Sequence, residues 1–333
     1  MSVLSELSVP IIAAPMAGGP STPELVDAVS RAGGFGFIAG GYLTGTVLER
    51  QMRAVKADSF GVNLFYQRLE PIDDEALGEY AQRIYPLYLN QGKDVPKYQE
   101  VDESDRLAEK SGFVHAFAPS VLSMTFGIEL PILIDELHKR DIEAWVTVTN
   151  PADAKSAEAY GADAIIVQGA EAGGHRSTFS IHAPADPRHH LELLREIKVG
   201  IPMVAAGGIA TAQDVKAALD SGAAAVSCGT AFLLADEAGT SELHRRAIKE
   251  AKAHGGVTSV TRAYSGRLAR GIETQFMRDN ADAPAAYPHI NVLMGELRRT
   301  TTDLNYVAAW AGVNFALAEE APAEEIVRKL MDF

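Results

Sequence analysis

The chain has 333 residues, 47% hydrophobic and 22% charged, and 30 Lys plus Arg against 44 Asp plus Glu give a formal net charge of −14. That length allows two average domains or one large α/β domain; the hydrophobic fraction excludes a disordered chain, and the acidic excess argues against a nucleic-acid binder. With one cysteine (Cys228), no basic segment before the apolar amino-terminal stretch and no apolar run of about 18 residues, a soluble cytoplasmic protein is expected.

In chain order, short apolar, β-branched runs fall at Val9–Ala14, Phe35–Ala39, Phe60–Leu64, Pro119–Met124, Ile142–Val148, Asp163–Val167, Pro202–Ala206 and Ala223–Cys228. Amphipathic stretches of helical period lie between most of them, among them Pro23–Ala32, Glu129–Arg140, Ala152–Tyr160 and Ala212–Ser221. Ala32-Gly33, Tyr160-Gly161 and Ser221-Gly222 read as helix stops, because glycine accepts the left-handed conformation that ends a helix. Thr22-Pro23, Asn150-Pro151 and Thr211 read as helix starts. Eight doubly buried strands alternating with helices predict a (β/α)₈ TIM barrel over residues 1–255. Two connections exceed a minimal βα unit. Residues 66–118, after the third strand, form an insertion with a helical pattern at Glu75–Leu89 and a charged stretch around Lys93–Lys110. Residues 169–188, after the sixth strand, are polar and Gly-rich. Residues 256–333 show no βα repeat and are expected as a mainly helical extension packed on the barrel, with helices at Asp303–Ala316 and Pro322–Leu330.

TIM barrels place their sites at the C-terminal ends of the strands and commonly bind phosphate after strands seven and eight. Those loops contain Gly207-Gly208 and Ser227-Cys228-Gly229-Thr230, where backbone N–H groups and a hydroxyl could reach phosphate oxygens. After strand six comes Gln168-Gly169-Ala170-Glu171-Ala172-Gly173-Gly174-His175-Arg176. A histidine on a Gly-rich loop at this rim can exchange a proton near neutral pH, and Arg176 either attracts an anion or pairs with a surface acid. Asn63 and Gln168 offer amides suited to a heterocycle edge, and Met16 offers a polarizable surface. Competing motifs fail. Gly34-Phe35-Gly36-Phe37-Ile38-Ala39 follows a helix and forms a strand, the reverse of a dinucleotide fingerprint. His182, His189 and His190 lack a clear carboxylate or Cys partner, so no metal is expected and they read as a solvated loop.

PIIAAPMAGGPSTPELVDAVSRAGGFGFIAGG, GVNLF, QGAEAGGHR, VAAGGI and GTAFL together resemble the nitronate monooxygenase family of FMN-containing TIM barrels, from Val9 to about Arg270 and more weakly beyond. Tyr264–Gly271 (YSGRLARG) resembles that family's S-G-R segment after the barrel. The resemblance implies Pro15, Met16 and Ala17 against the flavin ring, and Asn63, Gln168 and Gly173 at flavin-contacting positions. It implies Gly207, Gly208, Ser227, Gly229 and Thr230 around the FMN phosphate, and His175 as the catalytic histidine. The implied reaction oxidises an alkyl nitronate with O₂ to a carbonyl compound and nitrite. In it His175 either removes the α-proton of a neutral nitroalkane or holds the anionic nitronate. An NAD(P)H-dependent flavin reductase on the same barrel and a non-catalytic flavin-binding protein are the competing expectations.

Overall fold

All eight expected barrel strands form, and their inward-facing positions explain both the packed floor and the polar mouth of the barrel. The computed structural model describes residues 2–333. Its strands are β1 Ile11–Ala13, β2 Phe35–Ala39, β3 Gly61–Phe65, β4 Val121–Thr125, β5 Glu143–Val148, β6 Ala164–Gln168, β7 Gly174–His175, β8 Met203–Ala206, β9 Ala225–Cys228, β10 Thr258–Thr261 and β11 Ala269–Ile272. Strands β1–β6, β8 and β9 close into a parallel barrel, β9 pairing back onto β1, so the seventh and eighth strands read from sequence are β8 and β9. The chain is a TIM barrel.

Side chains alternate across a strand, so each strand sends one set of residues outward to the helices and one into the lumen. Ile12, Phe35, Phe37, Val121, Trp145, Ala164, Ile166, Val204 and Ala225 form one buried cluster, while Ile11, Ile38, Val62, Leu122 and Val146 belong to the layer shared with the helices. Phe35, Phe37 and Trp145 stack edge-on or tilted at 5.2–6.0 Å and fill the barrel's lower half. The short amino-terminal helix Val3–Glu6 adds Val3 and Leu4 beneath them. Two residues further along, the same inward positions become Asn63, Ser123, Thr147 and Ser227, and Gln168 follows Ile166. The lumen thus turns polar toward the C-terminal ends of the strands.

The helix punctuation also holds. Gly33, Gly161 and Gly222 adopt φ of 88°, 96° and 97° just past their helices. Thr22, Asn150 and Thr211 accept N-cap bonds from the backbone N–H of Leu25, Asp153 and Asp214.

Beyond the barrel the structure departs from expectation. Asp303–Ala316 forms no helix, only 3₁₀ turns at Leu304–Tyr306 and Phe315–Leu317. Residues 258–272 form the antiparallel pair β10–β11, and β11 recruits β7 as a third strand, with Ala269 opposite His175 and Arg270 opposite Gly174. Helices Asp74–Leu89 and Leu107–Phe117 build the insertion, and helix His289–Thr300 the extension. Insertion and extension share one core: Leu77, Tyr80, Ile84 and Tyr88 pack with Tyr264, Phe276, Ile290 and Leu293. Tyr80 Oη donates to the Ala263 carbonyl at 2.6 Å, and Tyr88 Oη to that of Leu293. This second core lies over the polar mouth. Among the described residues, no helix is long and apolar enough to cross a membrane.

Candidate active site

A cavity of about 830 Å³ opens at the C-terminal ends of the barrel strands. The residues that the resemblance assigned to the flavin and to catalysis all line it: Pro15, Met16, Ala17, Asn63, Gln168, Gly173, His175, Gly207, Gly208, Ser227, Gly229 and Thr230. Trp310 and Gly312 line it too, as do Tyr42, His244, Arg298 and Asn314, which the sequence did not announce.

One end of the cavity is a cradle of backbone donors. Among the described residues, the N–H groups of Gly207, Gly208, Gly229 and Thr230 find no acceptor in the protein. Gly207 and Gly208 need glycine, at φ of 116° and 66°. A Cβ added at Gly229 would meet no protein atom closer than 3.6 Å, so packing does not require this glycine and the space in front of it belongs to the cavity. Thr230 Oγ1 accepts from Gly312 N–H at 2.9 Å, which leaves its own proton to donate. Asn314 Nδ2 donates to the Gly208 carbonyl at 2.5 Å and Val313 N–H to that of Glu171 at 3.1 Å, so the 310–314 segment closes the cradle's third side. Here Gly173 is required, because a Cβ would fall 2.5 Å from the Ala311 carbonyl carbon and the Gly312 nitrogen. Uncapped N–H donors in a glycine-lined hollow suit a phosphate.

At the other end stands His175. It sits not on a free loop, as its glycine-rich surroundings suggested, but on β7, paired to β11. Gln168 holds that strand with both ends of its amide: Nε2 donates to the His175 carbonyl and Oε1 accepts from Ser177 N–H, both at 2.9 Å. The imidazole lies edge-on to Phe126, Tyr287 and Trp310 at 5.4–5.8 Å, and its Nε2 is 2.9 Å from Ser265 Oγ. Burial, with the Arg267 and Arg298 charges beside it, pushes its pKa down to about 3, so the ring is neutral near pH 7. Asn63 Nδ2 is taken up by the Ser123 carbonyl and the hydroxyls of Ser123 and Thr125 at 2.8–3.1 Å, which leaves its carbonyl oxygen for a donor in the cavity.

Three sequence readings need correction. Arg176 neither faces an anion nor pairs on the surface; it is buried, and its guanidinium donates to the carbonyls of Gly169 and Gln168 at the end of β6. The cations felt at His175 are Arg267 and Arg298. Arg267 lies 3.9 Å over the Phe126 ring and donates to the Thr178 carbonyl. Arg298 donates to Asn291 Oδ1 at 2.7 Å, and no carboxylate lies within salt-bridge distance of either arginine among the described residues. The solvated-loop reading also fails for His190, which is buried against Glu171, while His189 is exposed and its Nδ1 accepts from Leu191 N–H as a helix cap. The carboxylate missing from sequence spacing was Glu171, eighteen residues upstream of His189, and these three side chains form a cluster of metal-ligating type.

The family model for nitronate monooxygenase matches residues 1–332. The chain belongs to the nitronate monooxygenase family. It is 35% identical to the nitronate monooxygenase of Pseudomonas aeruginosa, covering 97% of this chain and 95% of that protein. A probable nitronate monooxygenase of Staphylococcus aureus is 32% identical over 100% of this chain and 96% of its own. Among solved structures, nitroalkane oxidase from Streptomyces ansochromogenes superposes with a TM-score of 0.92 at 34% identity, covering 99% of this chain and 97% of that one. FabK from Thermotoga maritima superposes with a TM-score of 0.73 at 26% identity, covering 98% and 93%. Nitronate monooxygenases are flavin-dependent oxidoreductases that use FMN, so this chain is an enzyme of that class.

Proposed function

We propose that this chain binds FMN in the barrel-mouth cavity and oxidises alkyl nitronates, and the nitroalkanes that give rise to them, with O₂ to a carbonyl compound and nitrite. The observation that carries the proposal is the neutral His175, near two arginines with no carboxylate within salt-bridge distance, in the same cavity as an unpaired N–H cradle. When bound, FMN would supply the redox chemistry that couples the substrate to O₂.

The chain's own residues supply the rest. Gly207, Gly208, Gly229 and Thr230 would hold the phosphate, Asn63 and Gln168 would offer amides to the ring system, and Pro15, Met16 and Ala17 would give it an apolar face. A neutral nitroalkane reacts only after losing its α-proton, and His175 takes it: the ring is unprotonated at neutral pH, and the nitronate's negative charge, formed beside it in the same step, offsets the burial and the cationic neighbours that otherwise disfavour the imidazolium. The resulting nitronate carries a negative charge, which the fields of Arg267 and Arg298 favour. Where a preformed nitronate is the substrate, no proton need be removed, and His175 acts as a neighbour of the anion alone.

His175→Asn keeps the shape and loses the base. The variant is expected to retain FMN, by its visible spectrum, while nitrite release from nitroethane falls by about 10²–10⁴-fold, the range of a lost acid–base group. Turnover of nitroethane equal to the parent's would remove His175 from the mechanism. Anaerobic mixing with NADH separates the reductase reading: the flavin is expected to stay oxidised, and rapid bleaching would favour a nicotinamide-dependent enzyme.

A further inference from the structure

His175 has two ring nitrogens, and only one of them can be the base. We infer that Ser265 holds His175 in the Nε2–H tautomer, so that Nδ1 is the nitrogen that takes the substrate's α-proton; this rests on the reading of His175 as the base.

The inference comes from counting protons on Ser265 Oγ. That oxygen is fully buried and has three neighbours: the Arg267 carbonyl at 3.1 Å, the Arg267 N–H at 3.3 Å and His175 Nε2 at 2.9 Å. A serine hydroxyl owns one proton and two lone pairs. The carbonyl can only accept and the backbone N–H can only donate, so each fixes its side of the contact. The serine proton therefore goes to the Arg267 carbonyl, and one lone pair receives the Arg267 N–H. The remaining lone pair can be filled only by a proton on His175 Nε2. In the opposite arrangement the Ser265 proton would point at Nε2, and two oxygens would face each other at 3.1 Å in a dry site with no proton between them, which costs free energy.

Nδ1 then carries a lone pair and has no partner in the protein, on a side chain that lines the cavity. When it takes the α-proton, the C–H electron pair stays with the substrate and delocalises onto the nitro group. The imidazolium keeps its Nε2–H bond to Ser265 throughout. Ser265 is thus a positioning residue, acting on substrate through His175. It lies in the Tyr264–Arg267 turn just before β11, the strand that also pairs with β7, so one segment fixes the histidine's backbone and its tautomer together.

The test is a long-range ¹H–¹⁵N spectrum of the FMN-loaded full chain, labelled at histidine nitrogens, at pH 7. The His175 signals are identified by their loss in His175→Asn. A protonated Nε2 and a bare Nδ1 are expected; a protonated Nδ1 with a bare Nε2 overturns the inference, and this spectrum needs no change at Ser265. Ser265→Ala is expected to shift the ring toward a tautomer mixture. It should lower kcat for nitroethane by about 10- to 100-fold, the range seen when the partner that orients a functional histidine is removed. Turnover of preformed ethyl nitronate should stay close to the parent's. An unchanged tautomer with unchanged nitroethane turnover in that variant also overturns the inference. Failure of the broader reading looks different: the parent would show the Nε2–H tautomer, yet His175→Asn would turn over nitroethane normally.

Discussion

His175 and His244 are kept uncharged by the same cause, burial in the cavity wall, and both therefore tie stability to pH. The pKa of His175 is pushed down to about 3 by desolvation with Arg267 and Arg298 nearby. His244 is pushed down to about 4 by desolvation, opposed by its bond to the Trp310 carbonyl and reinforced by Arg245. An unfolded histidine titrates near 6.5, so between that value and the folded pKa the unfolded chain binds more protons. Stability is then fully present above about pH 6.5 and is lost as pH falls toward 4. Each histidine should remove about 1 kcal/mol per pH unit in that window. The melting temperature of the parent should fall steeply from pH 6.5 to 5, and that of His244→Asn should fall less steeply from its own pH 7 value. Parallel curves would mean that His244 is not held neutral. Phe126 marks the same neighbourhood by backbone strain: it adopts φ of 76° at the end of β4, where a non-glycine residue costs on the order of 1–3 kcal/mol. Its N–H is received by Ser177 Oγ at 3.1 Å, and its ring is held between Arg267 and His175.

Strand β7 has only two residues and exists because β11 lies beside it, so the barrel's site histidine is positioned by the segment that follows the barrel. Gly271 tests this arrangement. It bridges to Trp310, and a Cβ there would fall 2.8 Å from the Ala309 carbonyl oxygen and 2.9 Å from the Trp310 ring. Gly271→Val must push β11 away from the 309–310 segment, and β7 moves with it. Overpacking of this kind typically costs about 1–3 kcal/mol. The expected outcome is a retained far-UV circular dichroism spectrum with nitrite release reduced at least tenfold, about the cost of misplacing a base. Wild-type activity in a folded Gly271→Val would show that β11 does not set the histidine's position. The same elements show where sequence reading ends. The barrel strands were legible because each carries a doubly buried apolar run that signals itself locally. β7, β10 and β11 are short, carry Gly, Ser, Thr and Arg, and owe their pairing to partners far away in sequence. Asp303–Ala316 had helical spacing, yet its backbone is used to bridge β11 and close the glycine cradle. The glycines and His175 could be found from motifs on the barrel rim. Arg298 could not, because an arginine near the end of an amphipathic helix looks the same whether or not a carboxylate meets it.

At the scale of the whole molecule, a net charge of −14 sets a repulsive long-range field around a site proposed to take an anion. The two fields that act on the substrate differ in range and in exposure. Surface carboxylates act through solvent, and at about 0.1 M salt their influence beyond about 10 Å is largely screened. Arg298 lines the cavity and Arg267 is buried against the Phe126 ring, neither within salt-bridge distance of a carboxylate among the described residues, so the screening of both is much weaker. Added salt should therefore remove more of the repulsion than of the attraction. For ethyl nitronate, kcat/KM is expected to rise a few-fold between about 0.01 and 0.2 M salt, while the value for neutral nitroethane stays flat. Arg298→Met separates the local contribution: it should raise KM for the nitronate and leave KM for nitroethane nearly unchanged, because only the charged substrate gains from a nearby cation. A kcat/KM for the nitronate that falls with salt would mean that the arginines' field reaches into solvent and outweighs the acidic surface. Equal salt profiles for the two substrates would mean that neither field governs the approach to the barrel mouth.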